Sequence, residues 1–185
     1  MSKVLIVLVA ILGLGLIGFF GYRSAYNSAV NLQENVDEKW NDVGATYQRR
    51  ADLIPMMVAT VKGAAANEKG ILTQVTEARA GIVNAKTPED MELAGKKINT
   101  AINLAFEAYP QIRSTERFGE LQTALEGTEN RINVARQNFN GAVKEYNSHI
   151  RGFFTSMVLN SETFPKKEGF KADAGAEKAP KVSFE

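Results

Sequence analysis

The chain offers few side chains of the kinds that carry acid–base or nucleophilic chemistry. It has one histidine and no cysteine, which removes disulfides, thiolate metal sites, cysteine nucleophiles and a lipidated N-terminal cysteine together. The histidine, His149, follows Tyr146 and precedes Phe153 at steps of three and four. That spacing puts it on an apolar helical stripe, where a core or rim role is expected rather than that of a triad base. A carboxylate-bridged di-metal site in a helical bundle needs two Glu-x-x-His pairs, and Glu145 stands at the wrong spacing from the one histidine. A tetrahedral zinc site is equally short of ligands. The glycine-rich GLGLIG at 13–18 lies inside an apolar run and follows no strand, so it is no phosphate loop. No metal, cofactor or enzymatic activity is expected.

What remains is a set of charged groups. Arg49, Arg50 and Asp52 stand together just ahead of Pro55. Arg79 falls on or beside an apolar stripe. With Leu125 as heptad position a, Glu126 follows at b, Glu129 and Arg136 take e, and Arg131 takes g. Positions e and g flank a helix seam, and ion pairs there set register and partner choice. The competing use is a charged groove for a ligand or partner helix. The expected pairing is Arg79 with Glu126 or Glu129.

Helices must position these groups. Ala25, Ala29, Leu32, Val36, Trp40, Val43 and Tyr47 recur by threes and fours and share one face. Asp52 and Pro55 suggest a break, since aspartate can cap a helix and proline fits its first turn. A second stripe then joins Ile54, Val58, Val61, Ala65, Leu72, Val75 and Ile82, stopping near Thr87 and Pro88. A third carries Met91, Ala94, Ile98, Ala101, Ala105 and Tyr109 and ends before Pro110. The fourth is the clearest: Phe118, Leu121, Leu125, Thr128, Ile132, Ala135, Phe139, Ala142, Tyr146, His149 and Phe153 alternate steps of three and four. A sustained seven-residue repeat implies shallow, coiled-coil-like packing. Long helices with short connections pack antiparallel. The fold class is therefore all-α, an antiparallel bundle of about four long helices.

Residues 4–20 (VLIVLVAILGLGLIGFF) are uncharged and lie at the short end of the roughly 17–25 residues that cross a bilayer. No small-x-small cleavage site follows, so a retained anchor is expected over a cleaved signal. Phe19, Phe20 and Tyr22 would form its interfacial belt. Lys3 precedes the run and Arg23 is the nearest cation after it, a small bias toward a cytoplasmic N-terminus and an exported body. The net charge is +1, and a near-neutral body lacks the basic footprint of nucleic-acid binding. From Ser161 onward the sequence is rich in Lys, Gly, Ala and Pro and forms a tail, in which Phe164, Phe170, Val182 and Phe184 are expected to pin it to the bundle. The expected organisation is an anchor over 1–22, a bundle over 23–157 and a tail over 158–185.

Several blocks resemble the LemA family of bacteria: RRADLIP at 49–55, TVKG at 60–63, VTEARA at 75–80, AYP at 108–110, LEGTENRINVAR at 125–136, FNGAVKEYNSHIR at 139–151 and KAPKVSF at 178–184. The resemblance covers nearly the whole chain and implies one membrane span with a helical bundle. It implies no enzyme activity. The function expected is that of a membrane-anchored scaffold or adaptor of the bacterial envelope, working as a homo-oligomer or through an envelope protein partner. A bundle that senses a ligand and signals by helix shift is the alternative.

Overall fold

The computed structural model describes residues 3–59, 68–110, 113 and 118–171. Among these described residues five helices follow in order: α1 (Lys3–Ala59), α2 (Glu68–Asn84), α3 (Pro88–Ala108), α4 (Phe118–Ile150) and α5 (Phe153–Val158). Helix α1 has 57 residues and so is about 85 Å long at about 1.5 Å per residue. Its first part stands clear of the bundle, with Val4, Leu14 and Ile17 exposed. Among the described residues it is the one helix long and apolar enough to cross a membrane. From Ala25 onward its apolar face turns inward, and Ala29, Val36, Val43, Tyr47, Ala51, Ile54 and Met57 are all buried.

The break expected at Asp52 and Pro55 is absent, and α1 runs through Pro55 to Ala59. An internal proline costs a helix about 3 kcal/mol in a lost hydrogen bond and a ring clash. Burial of Ile54 and Met57 on either side, at roughly 1.5–3 kcal/mol for each side chain, offsets that cost. Asp52, free of a capping role, faces α2 instead. The expected second stripe is thus divided: Ile54 belongs to α1, and Val75 and Ile82 belong to α2, whose buried face also takes in Ile71 and Ala78. Val61 and Ala65 lie outside the described residues, as do the side chains of Val58 and Leu72.

The start of α3 matches its sequence signals. Asp90 N donates to Thr87 Oγ1 at 3.2 Å and Thr87 N donates to Asp90 Oδ2 at 3.1 Å, a reciprocal capping box with Pro88 in the first turn. The Thr87 hydroxyl and the Lys86 amide hold the Asp90 carboxyl below the usual aspartate range. A carboxylate whose folded pKa is depressed contributes stability above its unfolded pKa and loses it as pH falls through the folded value. Thr87→Ala is therefore expected to cost about 1 kcal/mol at neutral pH. It should also flatten the acid limb of the stability–pH curve; an unchanged limb would contradict the box.

Helices α1 and α4 run antiparallel: His149 of α4 meets Ala25 of α1, while Arg50 meets Leu125. Helix α3 runs parallel to α1, with Met91 opposite Gly44 and Tyr47 against Gly95, and α2 returns against α3 with Gly81 on Ala94. Thr128, Ile132, Ala135, Phe139, Ala142 and Tyr146 bury the α4 seam. The seam expected to continue through Phe153 stops earlier, since α4 ends at Ile150 and Phe153 is 88% exposed. The cause is Gly152, extended at φ −58°, ψ 150°. A Cβ there would lie 2.9 Å from Thr155 Oγ1, whose hydroxyl donates to the carbonyls of His149 and Gly152.

The segment read as a tail packs into the bundle through Phe170. Phe164 and Phe170 are buried, as the pinning role requires, whereas Val182 and Phe184 lie outside the described residues. The strap climbs the groove between α1 and α4 on side-chain amides that imitate backbone pairing. Asn147 donates to Lys167 O at 2.8 Å and accepts from Lys167 N at 3.0 Å. Asn140 donates to Phe170 O at 3.0 Å and accepts from Phe170 N at 2.8 Å. Gly169 is needed for that approach, because its Cβ would fall 2.7 Å from Asn140 Oδ1. Trp40, Phe139 and Phe170 close the top of the groove, with centroids 5.2–6.1 Å apart.

Candidate functional site

Helix α1 packs closely on α4, α2 and α3, and α2 packs on α3. Among the described residues the approach of α3 to α4 is looser, and long polar side chains bridge it. The opening is a cleft of about 210 Å³ whose wall and rim include Tyr47, Arg50, Glu92, Gly95, Glu129 and Arg136, with Ile132 at its apolar side.

Arg50 carries most of the connections. Its guanidinium meets Glu129 of α4 at 2.8 Å, donates to Asn99 Oδ1 of α3 at 3.1 Å, and donates to Leu125 O of α4 at 3.0 Å. A longer bond reaches Thr128 Oγ1 at 3.4 Å. Arg136 of α4 crosses to Glu92 of α3 at 2.6 Å and lies over the Phe170 ring, 4.6 Å from its centroid. One guanidinium thus ties α1 to both α3 and α4, and the other ties α4 to α3 and the strap. Planar, forked donors suit this work better than a lysine ammonium.

The floor is set by a close approach. A Cβ on Gly95 would lie 2.5 Å from Tyr47 Cε1, and Tyr47 is buried. Burial pushes the Tyr47 phenol up, with the Arg136 charge opposing it, so the phenol is neutral at neutral pH. Alanine is a better helix former than glycine by about 1 kcal/mol, but the displaced ring costs about 1–3 kcal/mol. Gly95→Ala is therefore expected to lower the urea midpoint; a raised midpoint would show that Tyr47 has room to move.

The sequence-derived cluster divides in the structure. Arg50, Glu129 and Arg136 meet at the cleft. Arg79 and Asp52 form a separate ion pair between α2 and α1, and Arg79 Nε is buried with no hydrogen-bond partner among the described residues. Arg49 and Arg131 are exposed on the outer faces. Glu126 is also exposed and accepts a bond from Gln122 at 3.5 Å. The expected pairing of Arg79 with Glu126 or Glu129 is therefore replaced by Arg79 with Asp52, and Glu129 belongs to Arg50. The reason is topological, since α2 packs against α1 and α3 and presents Arg79 to α1.

Glu92, Asn99 and Gly95 have no place in the sequence reading of this site, and Tyr47 enters it only as part of an apolar stripe. The signal available was Gly95, a glycine inside a strong helical pattern, which marks a close approach. The His149 ring lies 3.1 Å from Ala25 O, a helix-to-helix contact. No group of three His, Asp or Glu side chains among the described residues is placed to hold a metal. In the cleft each carboxylate is engaged by an arginine, which suits holding helices in register or recognising a polar partner.

A family model described as "LemA family" matches residues 39–184. That span takes in the cleft, both ion pairs of Arg50 and Arg136, and the strap, and it begins beyond the apolar stretch. A relative described as "Protein LemA", from Metamycoplasma hominis (strain ATCC 23114), is 24% identical over 161 residues. The alignment covers 85% of this chain and 73% of the relative.

Proposed function

The chain belongs to the LemA family, and we propose that it works as a membrane-tethered, non-enzymatic rod of the bacterial envelope that scaffolds or adapts other proteins. The observation that carries this reading is α1 itself: the apolar stretch and the innermost helix of the bundle are one unbroken helix. A rigid helix of that kind holds the cleft end of the body at a fixed distance from the membrane. Beyond Ala25, Ala59 lies about 50 Å further along α1. The paired charges of the cleft support an interaction role, because they hold α3 and α4 without presenting an unengaged carboxylate or a poised base. Homo-oligomers and an envelope protein partner are both compatible with this surface.

Chemical cross-linking in the native membrane, followed by mass spectrometry, tests the reading. Self-cross-links forming a ladder, or a second protein recovered in fixed proportion, are the expected outcomes. A cross-linked sample that remains monomeric with no partner would contradict the scaffold.

The cleft supports a second reading, in which a small anionic ligand displaces Glu92 or Glu129 from its arginine and shifts α3 against α4. At about 210 Å³ it falls below the roughly 300–1,000 Å³ of typical ligand pockets, which favours the scaffold. A ligand that binds only the folded form raises its melting temperature by mass action, so a thermal-shift screen separates the two.

A further inference from the structure

We propose that α5 is a second membrane contact, a short interfacial helix whose Phe153, Phe154 and Met157 seat in the lipid headgroup region. The proposal rests on reading the apolar start of α1 as a membrane span. Phe153 is 88% exposed, Met157 72% and Phe154 52%, all on α5. Three large apolar side chains on so short a helix are more than scattered surface exposure, and a patch of that kind marks an interaction site. The same helix is held to the bundle, since its C-cap residue Leu159 packs against the core and α5 contacts both α1 and α4. The outward direction of the apolar face is thus built in.

Its height along the rod identifies the occupant. The Phe154 ring lies 3.5 Å from the Cβ position of Gly21, which directly follows the uncharged run at 4–20. Phe19, Phe20 and Tyr22 are exposed at the same level. Aromatic side chains concentrate at the ends of membrane spans, and α5 extends that belt sideways from one helix to two. The charges agree. Arg23 and Arg151 are exposed here, and no Asp or Glu occurs at 1–33 or 146–161. An apolar face flanked by cations and free of acids suits a lipid surface with anionic headgroups. Gly152 is what permits it, since its extended backbone separates the end of α4 from the start of α5. With two contacts, the span and the foot, the bundle is held at a set tilt instead of pivoting on one helix.

The chain lacks cysteine, so single labels can be placed on the full-length protein in vesicles of phosphatidylcholine and phosphatidylglycerol. A nitrobenzoxadiazole fluorophore is attached at Leu12→Cys in the span, at Ser156→Cys on α5, or at Asn130→Cys far up α4. Quenching is read with lipids carrying nitroxide at the headgroup or in mid-chain. The label at 12 should lose emission to the mid-chain quencher, the label at 156 to the headgroup quencher, and the label at 130 to neither. Adding Phe153→Asp and Met157→Asp should abolish quenching at 156 and leave it at 12. Quenching at 12 with none at 156 overturns the proposal while the anchor stands. A blue-shifted but unquenched label at 156 also overturns it, and points to a second copy or another protein on α5. No quenching at 12 removes the anchor and the proposal together.

Discussion

Arg50→Ala is expected to be the most damaging single change in the cleft, lowering stability by about 2–3 kcal/mol. Its side chain is only 13% exposed, and it connects α1 to Asn99, Leu125, Thr128 and Glu129 at once. Glu129 is 47% exposed and is one of several partners, so Glu129→Ala should cost about 1 kcal/mol or less. The asymmetry is the useful prediction. If the ion pair dominated, the two losses would be similar and strongly coupled in a double-mutant cycle; hydrogen bonding by the guanidinium predicts unequal losses and a coupling below about 1 kcal/mol. Arg50→Lys keeps the charge but not the fork, and should recover little of the loss. Equal losses for Arg50→Ala and Glu129→Ala in urea denaturation would contradict this.

Phe170→Ala should cost about 3 kcal/mol, at the lower end for a buried phenylalanine. Phe170 is buried against Trp40 and Phe139 and carries the Arg136 guanidinium on its face. Losing the ring also frees the end of the strap, so the two bonds to Asn140 become open to water. Asn140→Ala should cost about 2 kcal/mol by stranding the Phe170 amide and carbonyl. Trp40 is the only tryptophan and stacks on Phe170 at 6.1 Å. Its emission should shift to the red in both variants at denaturant concentrations below the main transition. Emission unchanged until global unfolding would mean that the strap does not open separately.

The helices were legible because their buried positions repeat. The α4 seam from Thr128 to Tyr146 follows the heptad spacing, and the Thr87 cap announces α3 by residue type and position alone. Pro55 misled because a local rule met a tertiary one: burial of Ile54 and Met57 outweighs what proline costs a helix. Phe153 misled in the opposite sense, since it keeps the heptad step while Gly152 has already ended the helix. Arg79 shows the limit for a charged site. Its spacing places it on a stripe, but which helix faces that stripe depends on how four helices are arranged, and α2 lies beside α1 rather than α4. The strap was legible only as aromatic punctuation. Asn140 and Asn147 stand one heptad apart on α4, which in hindsight marks two equivalent clamps, yet asparagine at a helix flank ordinarily signals nothing more than solvent.

The apolar start of α1 is expected to be retained in the mature protein and continuous with the bundle, and peptide mapping tests this. Bacterial membranes are washed with alkaline carbonate, and the protein left behind is digested and its N-terminal peptides identified. The anchored rod predicts peptides covering residues 4–22 in the carbonate-resistant fraction, in the same molar amount as peptides from α4. A chain that begins beyond Tyr22 and is released by the wash would contradict it, leaving a bundle with no tether.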